Sequence, residues 1–338
     1  MRLALDARCL SQPLHGMARY TLNLLRELAE LLGPEDLLLV IYNRQTFSPP
    51  PTGPAVLWVD AGIPWFSHRE ALAMPRLLRQ LRPDLLHVPT YWKPYISPCP
   101  WVMTVHDLIH LLPPVSAQHR AYYALLRQQL RQRCALLLTV SEASAAALRS
   151  WLGPGGPDIQ VTRPGVEAAY QPAEGASADD YALFVGNSKP HKGFTLALHA
   201  TEALGLPLRS VGVTHSGLFH HQALQNVPEA DMPTLYQQAR LLLLPSRLEG
   251  FGLPGLEALA CGTPVLAADL PVLREVLGPI ARYVPGHEAH SWQQALDTAW
   301  QAHDKAQPAW QQLARSQVAR YSWREMAAAT LQGYRQCV

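Results

Sequence analysis

The sequence predicts an α/β chain built as two doubly wound, parallel-sheet domains. Short apolar runs of strand length alternate with longer helical stretches, and this alternation occurs twice. A stretch of proline, glycine and small polar residues separates the two series. The length of 338 residues exceeds what one hydrophobic core usually organises and suits two. Hydrophobic residues make up 48% and charged residues 16%, the composition of a folded globular protein and not of a disordered one.

In the first series, strands are expected at 3–6, 37–42, 56–59, 85–88, 101–105, 136–140 and 159–162. Between them, helices are expected at 18–32, 69–81, 117–133 and 142–152. Residues 163–180, RPGVEAAYQPAEGASADD, have no periodicity and read as the connection. The second series starts at 181–186, YALFVG, and 323–336 reads as a terminal helix.

The most informative stretch is 240–269, RLLLLPSRLEGFGLPGLEALACGTPVLAAD. Residues 241–244 form an apolar run short enough to be a buried strand. A polar loop follows, in which Gly250 and Gly252 allow a close backbone approach. Pro254 sits where a first helical position belongs and Gly262 where a C-terminal cap belongs, and 264–267 reads as the next strand. This β-loop-α-β unit puts its loop at the carboxyl end of a strand, where open α/β sheets bind ligands. Glu249 and Glu257 bracket that loop and the first helical turn. Backbone amides there suit a phosphate and carboxylates suit hydroxyls, so the combination fits a phosphorylated sugar.

The string PSRLEGFGLPGLEALACGTPV resembles the Glu-x7-Glu signature of family 4 glycosyltransferases, the retaining nucleotide-sugar enzymes of GT-B fold. Two glutamates at this spacing alone carry little; strand, glycines, proline, both acids and cap in one order carry much more. The resemblance implies two Rossmann-like doubly wound domains facing a central cleft. It places an acceptor domain at 1–170, a nucleotide-sugar donor domain at 175–320, and a C-terminal helix at 321–338 that crosses back to the first domain.

The resemblance extends along most of the chain. His15-Gly16-Met17-Ala18-Arg19-Tyr20-Thr21 is similar to the family's glycine turn before the first helix, with Gly16 letting the backbone approach the donor diphosphate. Residues 84–91 and 102–108 look like consecutive strand ends facing the cleft, as in bacterial polysaccharide and mannosyl-type transferases, and 163–166 resembles the usual entry into the linker. His106 follows an apolar strand, so its imidazole emerges at the sheet's carboxyl edge. The bland account is a histidine satisfied by a neighbouring carbonyl; the resemblance instead implies a residue that orients the donor sugar by hydrogen bonding. In 184–193, Gly186 and Lys192 match the family's diphosphate segment, whereas Asn187 stands where an arginine is usual. Lys192 supplies a cation for the leaving diphosphate, and Lys189 or His191 is the candidate replacement for the missing charge. Glu249 is expected to bind donor-sugar hydroxyls and Glu257 ribose hydroxyls, with Ser246 and the amides of Gly250, Phe251, Gly252 and Leu253 completing the donor site.

Several classes are set aside. A net charge of +2 carries no general nucleic-acid signal. Cys9, Cys99, Cys134, Cys261 and Cys337 are odd in number and scattered, which reads as reduced thiols and not as a disulfide framework. Asp6 interrupts the apolar start, so no signal peptide is expected, and no run approaches a membrane span. Without an Asp-x-Asp triplet or a His/Cys/acid cluster, neither metal nor other cofactor is expected. Arg120, Arg127 and Arg131 share one face of their helix, with Tyr122, Leu125, Leu126 and Leu130 on the other. That cationic face reads first as solvated surface, and second as a peripheral contact for an anionic membrane.

Together these imply a cytoplasmic, metal-independent, retaining hexosyltransferase, peripheral at the inner face of the membrane if that contact is used. It would move a sugar from a nucleotide-sugar donor to a glycan or lipid-linked acceptor in polysaccharide or lipopolysaccharide biosynthesis, with a lean to a GDP-mannose-like donor. A catalytically silent nucleotide-sugar binding or scaffold protein in a glycan assembly complex is the alternative. A sugar-nucleotide epimerase is a third reading that the extended motif disfavours.

Overall fold

The computed structural model describes residues 1–11, 16–91, 96–111, 116–173, 180–214, 220–302, 304 and 307–338. The chain divides into two compact units, Met1–Gly165 with Ser322–Val338, and Val166–Tyr321. His15 of the glycine turn and residues 174–179 of the connection lie outside the described residues.

The first unit alternates β1 (Arg2–Asp6), α1 (Gly16–Leu31), β2 (Leu37–Tyr42), β3 (Val56–Asp60), α2 (Glu70–Leu81), β4 (Leu85–Val88), β5 (Trp101–Thr104), α3 (Ala117–Arg133), β6 (Cys134–Thr139), α4 (Glu142–Leu152) and β7 (Ile159–Val161). Its strands form one parallel sheet in the order β3-β2-β1-β4-β5-β6-β7. The central strands are buried on both faces, so they read as apolar runs without alternation, interrupted in β4 by buried His87 and ended in β5 by buried Thr104. Two helix starts are set by side-chain caps: Ser116 accepts from the His119 amide and Ser141 from the Ser144 amide.

The second unit contains β8 (Ala182–Val185), α5 (Phe194–Ala203), β9 (Leu208–Val211), β10 (His221–Leu224), α6 (Met232–Gln238), β11 (Leu241–Leu244), α7 (Leu253–Ala260), β12 (Val265–Ala268), α8 (Pro271–Leu277), β13 (Arg282–Val284), α9 (Ala289–Gln301) and α10 (Pro308–Val318). The parallel order is β10-β9-β8-β11-β12-β13. The chain therefore winds outward from β8 in one direction and restarts at β11 in the other. The loops after β8 and β11 are neighbours at this switch point, where a doubly wound sheet opens a crevice.

The final helix, α11 (Trp323–Arg335), belongs to the first unit and packs on α1. Gly165 and Gly333 fit it there: a Cβ on Gly165 would fall 2.2 Å from the Trp323 amide nitrogen, and one on Gly333 2.6 Å from Gln160.

Candidate active site

In the second unit, the switch point joins two loops from opposite sides of the sequence motif. After β8, Asn187 Oδ1 accepts from the Lys189 amide at 3.1 Å and a single 3₁₀ turn at Pro190–Lys192 follows. Asn187 thus folds the loop that carries Lys192. Gly193 then adopts φ +73°, and a Cβ there would lie 2.2 Å from the Pro245 carbonyl oxygen. Glycine alone meets both demands, and its absence of a side chain lets the β8 loop lie on the β11 loop. The Arg247 amide donates to the His191 carbonyl at 2.7 Å and closes the junction.

The chemistry sits on that junction. Lys192 Nζ donates to both Glu249 oxygens, at 2.9 and 3.0 Å, and buried Ser246 donates to Glu249 Oε1 at 2.7 Å. The Lys192 side chain is 22% exposed and that of Glu249 6%. Gly252 caps α7 with φ +90°, and a Cβ would fall 2.5 Å from Leu273 Cδ2, so the start of this helix also requires glycine. The amide of Leu253 opens the helix ahead of its first internal bonds, where amides are left for other acceptors. Phe251 contributes packing: its side chain is buried edge-on against the Tyr321 ring. Gly186 ends β8 beneath Lys192, with its Cβ direction filled by the Phe184 ring.

Glu257 lies deeper. It is 1% exposed, and Tyr236 on α6 donates to its Oε2 at 2.8 Å. The carboxylate that the motif assigns to ribose hydroxyls is therefore held inside the unit by a tyrosine.

In the first unit, His106 stands two residues beyond β5, half-buried at the sheet's carboxyl edge. Its Nε2 donates to the Pro89 carbonyl at 3.1 Å, and the Tyr20 ring meets it edge-on at 4.8 Å. Gly16 opens α1 on the same sheet edge, exposed, with none of the described residues within 4 Å of where a Cβ would be. Among the described residues, no packing demands glycine at that position.

Residues 14–170 match the model of Glycosyltransferase Family 4, and residues 215–314 match that of Glycosyl transferases group 1. The chain carries a family 4 glycosyltransferase domain followed by a group 1 glycosyltransferase domain. The O-antigen chain mannosyltransferase B of Escherichia coli is 25% identical over 99% of this chain and 100% of that one. The D-inositol 3-phosphate glycosyltransferase of Mycolicibacterium paratuberculosis is 34% identical over 54% of this chain, which spans about half, 46%, of that relative's length. The sucrose-phosphate synthase of Thermosynechococcus elongatus superposes with a TM-score of 0.80 at 17% identity, covering 99% of this chain and 98% of that one. Anabaena HepE in complex with UDP-glucose does so at 0.74 and 16% identity, covering 98% and 99%. These likenesses establish the GT-B fold.

Against that fold, the glycosyltransferase departs from its sequence reading on α3. Leu125 does not share the apolar side; it is 42% exposed, while Tyr123, Leu126 and Leu130 face the sheet. The arginine face is not simply solvated either. Arg127 and Arg131 both donate to the Leu152 carbonyl, so they cap the carboxyl end of α4, where the helix dipole favours positive charge. Two residues unmarked in the sequence also serve the site. Tyr236 fixes Glu257, and His287, 41 positions beyond Ser246, reaches the Ser246 carbonyl at 3.3 Å. A tyrosine in a short helix and a histidine before another carry no motif, so neither was legible. Among the described residues, no helix is long and apolar enough to cross a membrane.

Proposed function

We propose that this glycosyltransferase moves a hexose, with retention of anomeric configuration, from a nucleotide-sugar donor to a hydroxyl of a glycan or lipid-linked acceptor. The supporting observation is the Lys192–Glu249 pair at the switch point of the second sheet. With no donor bound, ammonium and carboxylate neutralise each other. A nucleotide sugar offers each a better-matched partner: the diphosphate for Lys192, the sugar hydroxyls for Glu249. Ser246 keeps Glu249 oriented through the exchange.

Lys192 then lies where negative charge grows as the nucleoside diphosphate departs, and a preset cation lowers that barrier. The acceptor hydroxyl attacks from the face the diphosphate leaves. Its oxygen forms the new bond to the anomeric carbon, the bond to the diphosphate oxygen breaks, and the hydroxyl proton passes to that departing oxygen. In this reading the second unit binds the donor with Lys192 and the α7 amides supplying positive potential, and the first unit carries the acceptor, with His106 orienting the sugar. The O-antigen chain mannosyltransferase relative favours mannose as the sugar, which suits a GDP-mannose-like donor, and polysaccharide or lipopolysaccharide synthesis as the setting. The cationic face of α3, with Arg120, Arg127 and Arg131, is the surface offered to an anionic bilayer.

The test is a thermal-shift series with GDP-mannose, UDP-glucose and other nucleotide sugars, followed by turnover with the donor that stabilises the protein. Release of nucleoside diphosphate that Lys192→Ala reduces by about 10²–10³-fold is expected. Stabilisation without diphosphate release would favour the silent binding protein, and equal turnover in the variant would remove Lys192 from the leaving-group role.

A further inference from the structure

A buried polar chain runs through the first unit without belonging to the glycosyltransferase motif. Tyr334, on α11, is fully buried and its hydroxyl lies 2.6 Å from His87 Nδ1. On the other side of the ring, His87 Nε2 lies 2.8 Å from the Thr104 hydroxyl. Thr104 is in turn 3.3 Å from the hydroxyl of Tyr20, whose ring packs edge-on against His106. The links span β4, β5, α1 and α11.

The chemistry of the chain gives it a direction. Burial pushes the His87 imidazolium down to about 3, so the ring is neutral and has one donor nitrogen and one acceptor nitrogen. A phenol is the stronger donor toward an imidazole, so Tyr334 donates to Nδ1. The proton then sits on Nε2, which donates to Thr104, and the Thr104 hydroxyl donates to Tyr20. Tyr20 can donate its own hydrogen bond to Thr162 or Thr330, with which its hydroxyl is hydrogen-bonded. Every proton in this order has an acceptor, and no buried donor is wasted.

We propose that Tyr334 is a positioning residue for His106, acting through His87, Thr104 and Tyr20. Two constraints converge on the same imidazole. His87 and Pro89 lie on one strand end, so His87 fixes the backbone whose Pro89 carbonyl accepts from His106 Nε2. Thr104 anchors Tyr20, which fixes the tilt of the ring through its edge contact. The terminal helix thereby reaches the candidate site through five side chains without touching a ligand itself. A merely structural tyrosine would need only its ring among apolar neighbours; the hydroxyl is what the chain uses.

This inference rests on the proposed role of His106 only for its effect on turnover, and the test separates the two. Imidazole nitrogen and carbon-bound proton resonances of His87, His106 and His119 are recorded in the full-length protein and in Tyr334→Phe. His119 is exposed on α3 and outside the chain. The expected result is loss of the hydrogen-bonded Nδ1 signature at His87 and a shift at His106, with His119 unmoved. Turnover is expected to fall by about tenfold to a hundredfold, since small misplacement of an orienting group costs that much, with donor KM changed less than kcat.

Tyr20→Phe asks the same question from the other end and keeps the ring beside His106, which covers the case in which Tyr334→Phe does not fold. An unmoved His106 in the folded variants, or equal movement of His119, overturns the proposal. If His106 moves and turnover does not, the positioning chain stands and the donor-orienting role of His106 falls.

Discussion

Both sheets of this glycosyltransferase carry a cation bound to carboxylate at the carboxyl end of a central strand, two carboxylates in the first unit and one in the second, and the two clusters differ in access to water. In the first unit, Arg8 follows β1 and is chelated by Asp6 at 2.8 and 2.7 Å, while Glu70, at the start of α2, takes a third guanidinium hydrogen at 2.8 Å. Those side chains are 0%, 2% and 3% exposed. In the second unit, Lys192 meets Glu249 with its side chain 22% exposed. The planar, five-donor guanidinium suits a closed brace because it satisfies two carboxylates at once; the single-point ammonium suits a contact that can be exchanged. Similar charges at similar places in the topology thus give one cluster that holds a loop and one that can hold a ligand.

The sharpest way to break this comparison is to remove the carboxylate from the open cluster. Glu249→Ala should lower transfer by orders of magnitude while leaving the fold. The freed ammonium reaches water but buried Ser246 loses its acceptor, so the stability change should be about 1–2 kcal/mol, less than in the closed cluster. Near-normal transfer by this variant would end the donor-binding role of Glu249. A collapse of the thermal transition would show that the pair is a brace like its counterpart.

Arg8→Met makes the converse change in the closed cluster. It leaves two buried carboxylates facing each other without their cation, and breaking such a pair costs about 3–5 kcal/mol. Denaturant unfolding of the intact protein reads this directly as a lower midpoint. A loss below about 1 kcal/mol would mean that water enters the cluster and that the two regions are alike after all.

The same contrast explains what was legible in the sequence. The first sheet reads clearly because its strands are buried runs such as Leu37–Tyr42, and α3 and α4 begin at the capping serines that precede them. In the second unit β9, β10 and β13 carry no such signal. They are short and half-exposed, and His221–Leu224 and Arg282–Val284 include polar residues within the strand. Glu249 and Lys192 were each visible in a motif, but their contact spans 57 positions and depends on which strands adjoin. Gly193 looked like turn punctuation until Pro245 lay against it. Tyr334 and His87, 247 positions apart, had no local signal. The arginines of α3 show the opposite failure: periodicity gave a cationic face, whereas the nearby end of α4 determined what two of them do.

The smallest expected effect concerns protons in the closed cluster. Desolvation pushes Glu70 up from 4.5 to about 7; Arg8 opposes this, and the Asp6 carboxylate adds to it. Asp6 already satisfies the guanidinium charge through two bonds, so a second buried carboxylate is surplus and retains its proton longer. The sign follows from proton counting. Between about 4.5 and 7 the folded state binds more protons at Glu70 than the unfolded chain, so this contribution to stability falls as pH rises through that window. Glu70→Gln cannot titrate, and its carboxamide oxygen can still accept from Arg8. Relative to wild type, the variant should therefore gain stability steadily from pH 4.5 to 7 and remain level above it. Unfolding midpoints measured across that range for both proteins give the difference. Parallel curves would mean that Glu70 is ionised throughout, and that the buried cluster carries its extra negative charge as readily as the open one.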